Sequence, residues 1–249
     1  MKIDTVNILG TSVANMAMHE VLEWVRIMIE QGKPRHIVTA NAEILHKAYV
    51  EPEFMRVLAK ADLITADGSG VMWAAKALGN PISEKVSGVD LVDHLLTLAE
   101  EKSWKIYLFG AAPEVVEKAV LNSLSKHPLL RVAGFQHGYY SQQEIEGIVA
   151  NISSIKPDVI LVAMGVPRQE LFIQQYLKDL NVPIAIGVGG TFDVMAGVAK
   201  RAPEWMRSYG LEWFYRLYKQ PSRFRRMLAL PKFVLEVLGQ RMRARPSSK

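Results

Sequence analysis

The stretch Val159-Ile160-Leu161-Val162-Ala163-Met164-Gly165-Val166-Pro167-Arg168-Gln169-Glu170 decides the fold. Six apolar residues, three of them β-branched, run without a polar break into a glycine. Such a run reads as a strand covered on both faces. Pro167 then stands where the first turn of a helix accepts proline, and the helical pattern continues to Leu180. A second apolar run, residues 184–188, follows and ends in Gly189-Gly190.

Outward from there the same unit recurs. Residues 6–9, 36–39, 63–66, 106–109 and 132–135 read as further strands, rich in β-branched residues or ending in Gly, Asn or Asp. Helical patterns occupy 18–30, 42–59, 70–78, 90–101, 113–125 and 142–153. Strands apolar throughout, each followed by a helix, predict an α/β fold: a Rossmann-like parallel sheet covered by helices on both faces, running to about Gly197.

After Ala199 the strand signals stop and the charge changes sign. Residues 200–249 carry 13 Lys or Arg against 3 acidic residues, while residues 1–199 carry 17 against 22. The same segment holds eight of the 21 aromatic residues. Pro203, Pro221 and Pro231 divide it into 204–209, 211–219, 222–230 and 231–243. Phe224, Met227, Leu228, Phe233, Val234, Val237 and Leu238 can share one apolar stripe, with Arg223, Arg225, Arg226, Arg241 and Arg243 around it. The expected organisation is a core, 1–199, with a basic amphipathic helical appendage, 200–249. Phosphate-bearing partners come first: nucleic acid, membrane headgroups or a diphosphate substrate.

Several classes drop out. The absence of cysteine removes disulfides, thiolate metal sites and cysteine nucleophiles. His19, His36, His46, His94, His127 and His137 are scattered without metal-ligand spacing, so no metal is expected. Neither a Walker pattern nor a dinucleotide fingerprint is present, which argues against a kinase-type or NAD enzyme. Ser69 does not sit in a nucleophile elbow. No secretory signal and no run near ~18 apolar residues is read. The expectation is a cytoplasmic protein with at most a surface attachment to a membrane.

In an open parallel sheet the ligand lies beyond the carboxyl ends of the strands. Those ends read Thr39-Ala40-Asn41, Thr65-Ala66-Asp67-Gly68-Ser69-Gly70, Phe109-Gly110-Ala111, Met164-Gly165 and Gly187-Val188-Gly189-Gly190-Thr191-Phe192-Asp193. Together they predict a nucleotide or sugar-nucleotide pocket. Asp67 leaves a buried strand, is followed by Gly68 and Gly70, and can act as a general base toward a substrate hydroxyl. On local pattern alone, a helix N-cap is the better reading of it. Asp193 carries the same ambiguity, Asn41 can cap the helix from Ala42, and Gly189-Gly190 can form a simple tight turn.

In this order, several segments resemble the TagA/WecG/CpsF family of bacterial glycosyltransferases. They are Thr39-Ala40-Asn41-Ala42-Glu43, Ala66-Asp67-Gly68, Gly88-Val89-Asp90-Leu91, Phe109-Gly110, Gly165-Val166-Pro167-Arg168-Gln169-Glu170 and Gly187-Val188-Gly189-Gly190-Thr191-Phe192-Asp193. The likeness continues through Lys200-Arg201-Ala202-Pro203, Gly210-Leu211-Glu212-Trp213, Tyr215-Arg216-Leu217 and Pro221-Ser222-Arg223-Phe224-Arg225-Arg226. The resemblance implies inverting, metal-independent and cofactor-free transfer of N-acetylmannosamine. The donor is UDP-linked and the acceptor is undecaprenyl-diphosphate-linked GlcNAc, in synthesis of wall teichoic acid or a related polysaccharide.

It implies Asp67 as catalytic base, with Thr39 and Asn41 beside it, and Gln169 and Asp193 at the nucleotide site. Gly110, Gly189 and Gly190 join the substrate-binding set. Arg216, Arg223 and Arg226 are implied to close over the diphosphate. Lys85 stands where the family is expected to carry arginine; it keeps the charge without the planar fork. Three alternatives stay open. One is another UDP-sugar, such as ManNAcA or glucose. A second is a nucleic-acid-binding α/β protein whose tail arginines and aromatics meet phosphates and bases. A third is a homo-oligomer interface through the core or tail.

Overall fold

The computed structural model describes residues 3–219 and 228–244. Along the chain run β1 (Thr5–Ile8), β2 (Thr11–Ala14), α1 (Met18–Gln31), β3 (Arg35–Ala40), α2 (Ala42–Val50), α3 (Pro52–Leu58), β4 (Leu63–Ala66), α4 (Ser69–Ala77) and α5 (Gly88–Lys102). Next come β5 (Lys105–Gly110), α6 (Pro113–Lys126), β6 (Arg131–Gln136), α7 (Ile145–Ile155), β7 (Val159–Ala163), α8 (Arg168–Leu180) and β8 (Ile184–Gly187). After the sheet follow α9 (Thr191–Met195), α10 (Glu204–Ser208), α11 (Glu212–Lys219) and α12 (Ala229–Ala244).

Six strands pair in the order β4-β3-β8-β7-β5-β6, and every pairing is parallel. The period-2 alternation of the strands serves two cores. Ile37, Ile106, Leu108, Leu161 and Ile186 face α1, α5, α6 and α9. On the other face Val38, Ala40 and Ile64 meet α2, α3, α4 and α12, while Tyr107, Phe109 and Val162 meet α7 and α8. The expected parallel sheet covered on both faces is the observed one. Its carboxyl ends therefore share one rim, where helices begin.

Three local expectations are corrected. The first strand is not part of the main sheet: it pairs antiparallel with β2. Leu9 and Gly10 both take positive φ, 52° and 88°, which gives the two-residue hairpin turn its twist. The single helix expected over 42–59 breaks at Glu51, and Pro52 opens α3 at a position that needs no N–H. The short helix α9 was not anticipated.

The last helix belongs to the packed structure. Phe233 and Val237 are 1% and 0% exposed and join the core formed by α2, α3 and α4. Burying a side chain of this size contributes about 1.5–3 kcal/mol. Polar contacts fix the register: His46 Nδ1 pairs with Glu236 Oε2 at 2.8 Å, the Leu9 N–H donates to Gln240 Oε1 at 2.8 Å, and Gln240 Nε2 donates to the Asn7 carbonyl at 3.0 Å. The expected apolar stripe is thus divided. Phe233 and Val237 point inward, while Leu228 and Leu238 are exposed. Phe224, Met227, Arg223, Arg225 and Arg226 lie outside the described residues.

Candidate active site

The end of β4 is clamped from two sides. The Asp67 N–H donates to the Ala40 carbonyl at 2.8 Å, and the Val86 N–H donates to the Ala66 carbonyl at 2.9 Å. The N-cap of α4 is Gly68, whose φ of 94° suits glycine. The capping role favoured for Asp67 by local pattern therefore falls to its neighbour. Asp67 Oδ2 instead accepts from the Gly88 N–H at 3.2 Å, at the first residue of α5. A helix N-terminus favours the ionised carboxylate there.

Around Asp67 lies a cleft of about 860 Å³, its open mouth included. Its inner wall is built by Asn41, Glu43, Gly68, Ser69, Gly70 and Lys85. Asn41 does cap α2, accepting from the Ile44 N–H at 3.0 Å, and also lines the cleft. The N-cap Gly68 offers no side chain of its own, so the first N–H groups of α4 suit an anionic group at this wall. Thr39 sits behind: its Oγ1 donates to the Gly187 carbonyl at 3.1 Å, and a Cβ at Gly88 would lie 3.1 Å from that oxygen. The hydroxyl thus ties β3 to β8 and fits under the residue that holds Asp67.

The outer wall comes from the C-terminal segment, through Arg207, Gly210, Glu212, Trp213 and Leu230. Ser69 Oγ donates to the Gly210 carbonyl at 3.0 Å; a Cβ at Gly210 would fall 2.8 Å from Ser69 Cβ, so close an approach requires glycine. Arg201 anchors the start of this segment on α5 through Asp90, at 2.6 Å. Burial opposes ionisation of Asp90, but hydrogen bonds from Arg201 and Ser87 outweigh it and hold the carboxyl below its usual range.

The central strands carry a second group. Gln169 Oε1 accepts from the Gly189 N–H at 3.0 Å, and its Nε2 donates to Glu170 Oε1 at 2.7 Å. Both side chains are buried, at 2% and 0% exposure, so Gln169 braces the Gly189-Gly190 turn from below. Burial raises Glu170 to a pKa of about 7, against a hydrogen bond from Gln169, and its Oε2 has no hydrogen-bond partner among the described residues. Gly110 is required by packing, since a Cβ would lie 2.4 Å from the Ala163 carbonyl. Asp193 falls in the first turn of α9, whose N-cap is Gly190.

The structure therefore brings Asn41, Asp67 and Lys85 together in one cleft, with Thr39 beneath it. It places Gly110, Gln169, Gly189, Gly190 and Asp193 at the ends of β5, β7 and β8 on the same rim. Arg216 belongs to α11, and Arg223 and Arg226 lie outside the described residues. Sequence reasoning passed over Arg207, the Arg201–Asp90 pair and the Glu170 brace. Glu170 alone left a signal, as a carboxylate in an otherwise core-facing part of α8. Among the described residues no three His, Asp or Glu side chains are grouped to hold a metal ion.

A parallel sheet whose rim carries an acid, helix N-termini and cationic side chains is the arrangement of an α/β protein that handles phosphorylated ligands. The family model for the glycosyl transferase WecG/TagA/CpsF family matches residues 6–247, and this chain belongs to that family. It is similar to an N-acetylglucosaminyldiphosphoundecaprenol N-acetyl-beta-D-mannosaminyltransferase of Bacillus spizizenii W23, with 38% identity over 88% of this chain and 84% of the relative. Proteins of the same name from Bacillus subtilis 168 and Staphylococcus aureus MW2 are 37% and 33% identical, over 85% and 93% of this chain and 82% and 91% of theirs.

Proposed function

We propose that this chain transfers N-acetylmannosamine from a UDP donor to GlcNAc-diphosphoundecaprenol, with inversion at the anomeric carbon. The observation that carries the mechanism is the placement of Asp67, oriented by the Gly88 N–H inside a cleft it shares with Lys85. Asp67 takes the proton of the acceptor hydroxyl as that oxygen bonds to the sugar C1. The C1–O bond to the donor phosphate breaks on the opposite face, and UDP leaves with the bonding electrons. Lys85, the N-terminus of α4, and Arg216, Arg223 and Arg226 stabilise the charge on the departing diphosphate. Thr39 and Asn41 shape the pocket, and Gly110, Gln169, Gly189, Gly190 and Asp193 form the nucleotide side of the rim.

The functional division follows the chain: residues 1–199 bind the sugar nucleotide, and 200–249 complete the site and meet the membrane that holds the acceptor. Among the described residues no helix is long and apolar enough to cross a membrane. Exposed Trp205, Trp213, Phe214 and Tyr218 on α10 and α11 suit peripheral attachment to the inner membrane face, with the basic charge of the tail assisting. The test is a transfer assay with a panel of UDP-sugars and a lipid-diphosphate-GlcNAc acceptor. Faster transfer from UDP-glucose or UDP-ManNAcA than from UDP-ManNAc would overturn the donor assignment.

A further inference from the structure

We propose that Arg207 is a substrate-contacting residue that grips the oxygens of a diphosphate bound in the cleft; this rests on the glycosyl-transfer reading above. Arg207 and Lys85 are the two cationic side chains among the described residues that line the cleft with Asp67. They come from different parts of the chain, Lys85 from the link between α4 and α5, Arg207 from α10. Nearby Arg201 is committed to Asp90 at 2.6 Å. Arg207 lines the cleft itself; among the described residues its Nε, like that of Arg201, is shielded from water and has no hydrogen-bond partner. A buried donor left unpaired is costly, and a ligand oxygen in the cleft would relieve that cost.

The chemistry selects the ligand. Lys85 offers a point charge, whereas a guanidinium presents a planar fork matched to phosphate oxygens. The start of α4, whose N-cap is Gly68, adds N–H donors at the same cleft. The position of Arg207 is set before any ligand arrives. Ala202 is buried ahead of α10, and the Ser69–Gly210 bond ties its exit to α4. A bound diphosphate would thus join the C-terminal segment to the core across the cleft.

Both substrates carry a diphosphate, and the experiment separates them. Calorimetric titration of the full chain with UDP, and KM values for donor and acceptor, are compared for wild type, Arg207→Gln, Arg207→Lys and the exposed control Arg56→Gln. Loss of a charged hydrogen bond predicts about tenfold weaker UDP binding in Arg207→Gln, a smaller loss in Arg207→Lys and none in Arg56→Gln. Unchanged UDP binding with an acceptor KM raised about tenfold would assign the grip to the acceptor diphosphate. UDP affinity and both KM values within twofold of wild type would overturn the proposal. If Arg207→Gln loses its cooperative melt, Arg207→Lys decides: weaker binding with an intact melt supports the grip, and unchanged binding overturns it. A wild-type chain that neither binds UDP nor transfers sugar would bring down the glycosyl-transfer reading itself, and Arg207 with it.

Discussion

The helices α11 and α12 come from the same basic segment and have opposite surroundings. On α11, Phe214 and Tyr218 are 52% and 74% exposed, and Trp213 stands at the cleft mouth. On α12, Phe233 and Val237 are buried against α2 and α4. Apolar residues at helical spacing thus do two jobs within thirty residues of chain. One helix completes the fold, and the other is held beside the cleft by the hydrogen bond from the Ser69 hydroxyl to the Gly210 carbonyl. What separates them is whether the core offers a matching face, and that is a property of the sheet and its helices.

The comparison breaks most sharply if damage at the site and damage at α12 give the same phenotype. Asp67→Asn keeps an acceptor for the Gly88 N–H but cannot take a proton. Transfer is expected to fall by about two to four orders of magnitude, with UDP affinity and melting temperature close to wild type. Turnover near the wild-type rate would remove Asp67 from the chemistry. Phe233→Ala should do the reverse. Emptying that buried position is expected to cost about 3–5 kcal/mol in denaturant unfolding. Specific activity of the fraction that stays folded should be retained. A loss below about 1 kcal/mol would mean that α12 is not held by the core.

How much of this was legible in sequence depends on what each residue answers to. The strands of the main sheet were, because fully apolar runs such as residues 159–163 admit few other readings in a chain with alternating helical patterns. The β1–β2 hairpin was not: its turn places Leu9 at positive φ, and leucine gives no warning of that. Asp67 was visible as a candidate, but the choice between helix cap and rim position depended on Gly68 and on a partner 21 residues away. Arg207 was invisible, since its relevance arises only when α10 folds back onto α4, more than 130 positions earlier. The apolar stripe over 224–238 was visible, but not the burial of Phe233 and Val237, because periodicity marks an apolar face and not what covers it.

A smaller effect concerns two buried groups with opposite pH slopes. His36, pushed down to about 4 by burial against the pull of Asp62, stays neutral in the fold. Its contribution is complete above about 6.5 and is lost as pH falls toward 4. Glu170, pushed up to about 7 from 4.5, runs the other way: its contribution is complete below 4.5 and is lost as pH rises to about 7. Glu170→Gln keeps an acceptor for Gln169 and removes the ionisation. The variant should therefore gain stability relative to wild type between pH 4.5 and 7, by about 1–3 kcal/mol. A difference that stays flat across this window would mean that Glu170 is ionised throughout.

The smallest effect on stability, and the finest test of the comparison, lies on α11. Phe214 and Tyr218 bury little, so replacing either by serine should shift unfolding by no more than about 0.5 kcal/mol, unlike Phe233. Their expected readout is binding to vesicles containing anionic lipid, where each lost aromatic ring should weaken association a few-fold by removing buried apolar area. Leu235→Ser on the exposed side of α12 is the control: it also replaces a large apolar side chain by serine, at comparable exposure, 70%. If the α11 variants lose vesicle binding and Leu235→Ser does not, the membrane-facing surface is the one beside the cleft. The lipid-borne diphosphate would then arrive next to Asp67. Equal losses at both helices would instead spread the membrane contact over the whole basic segment.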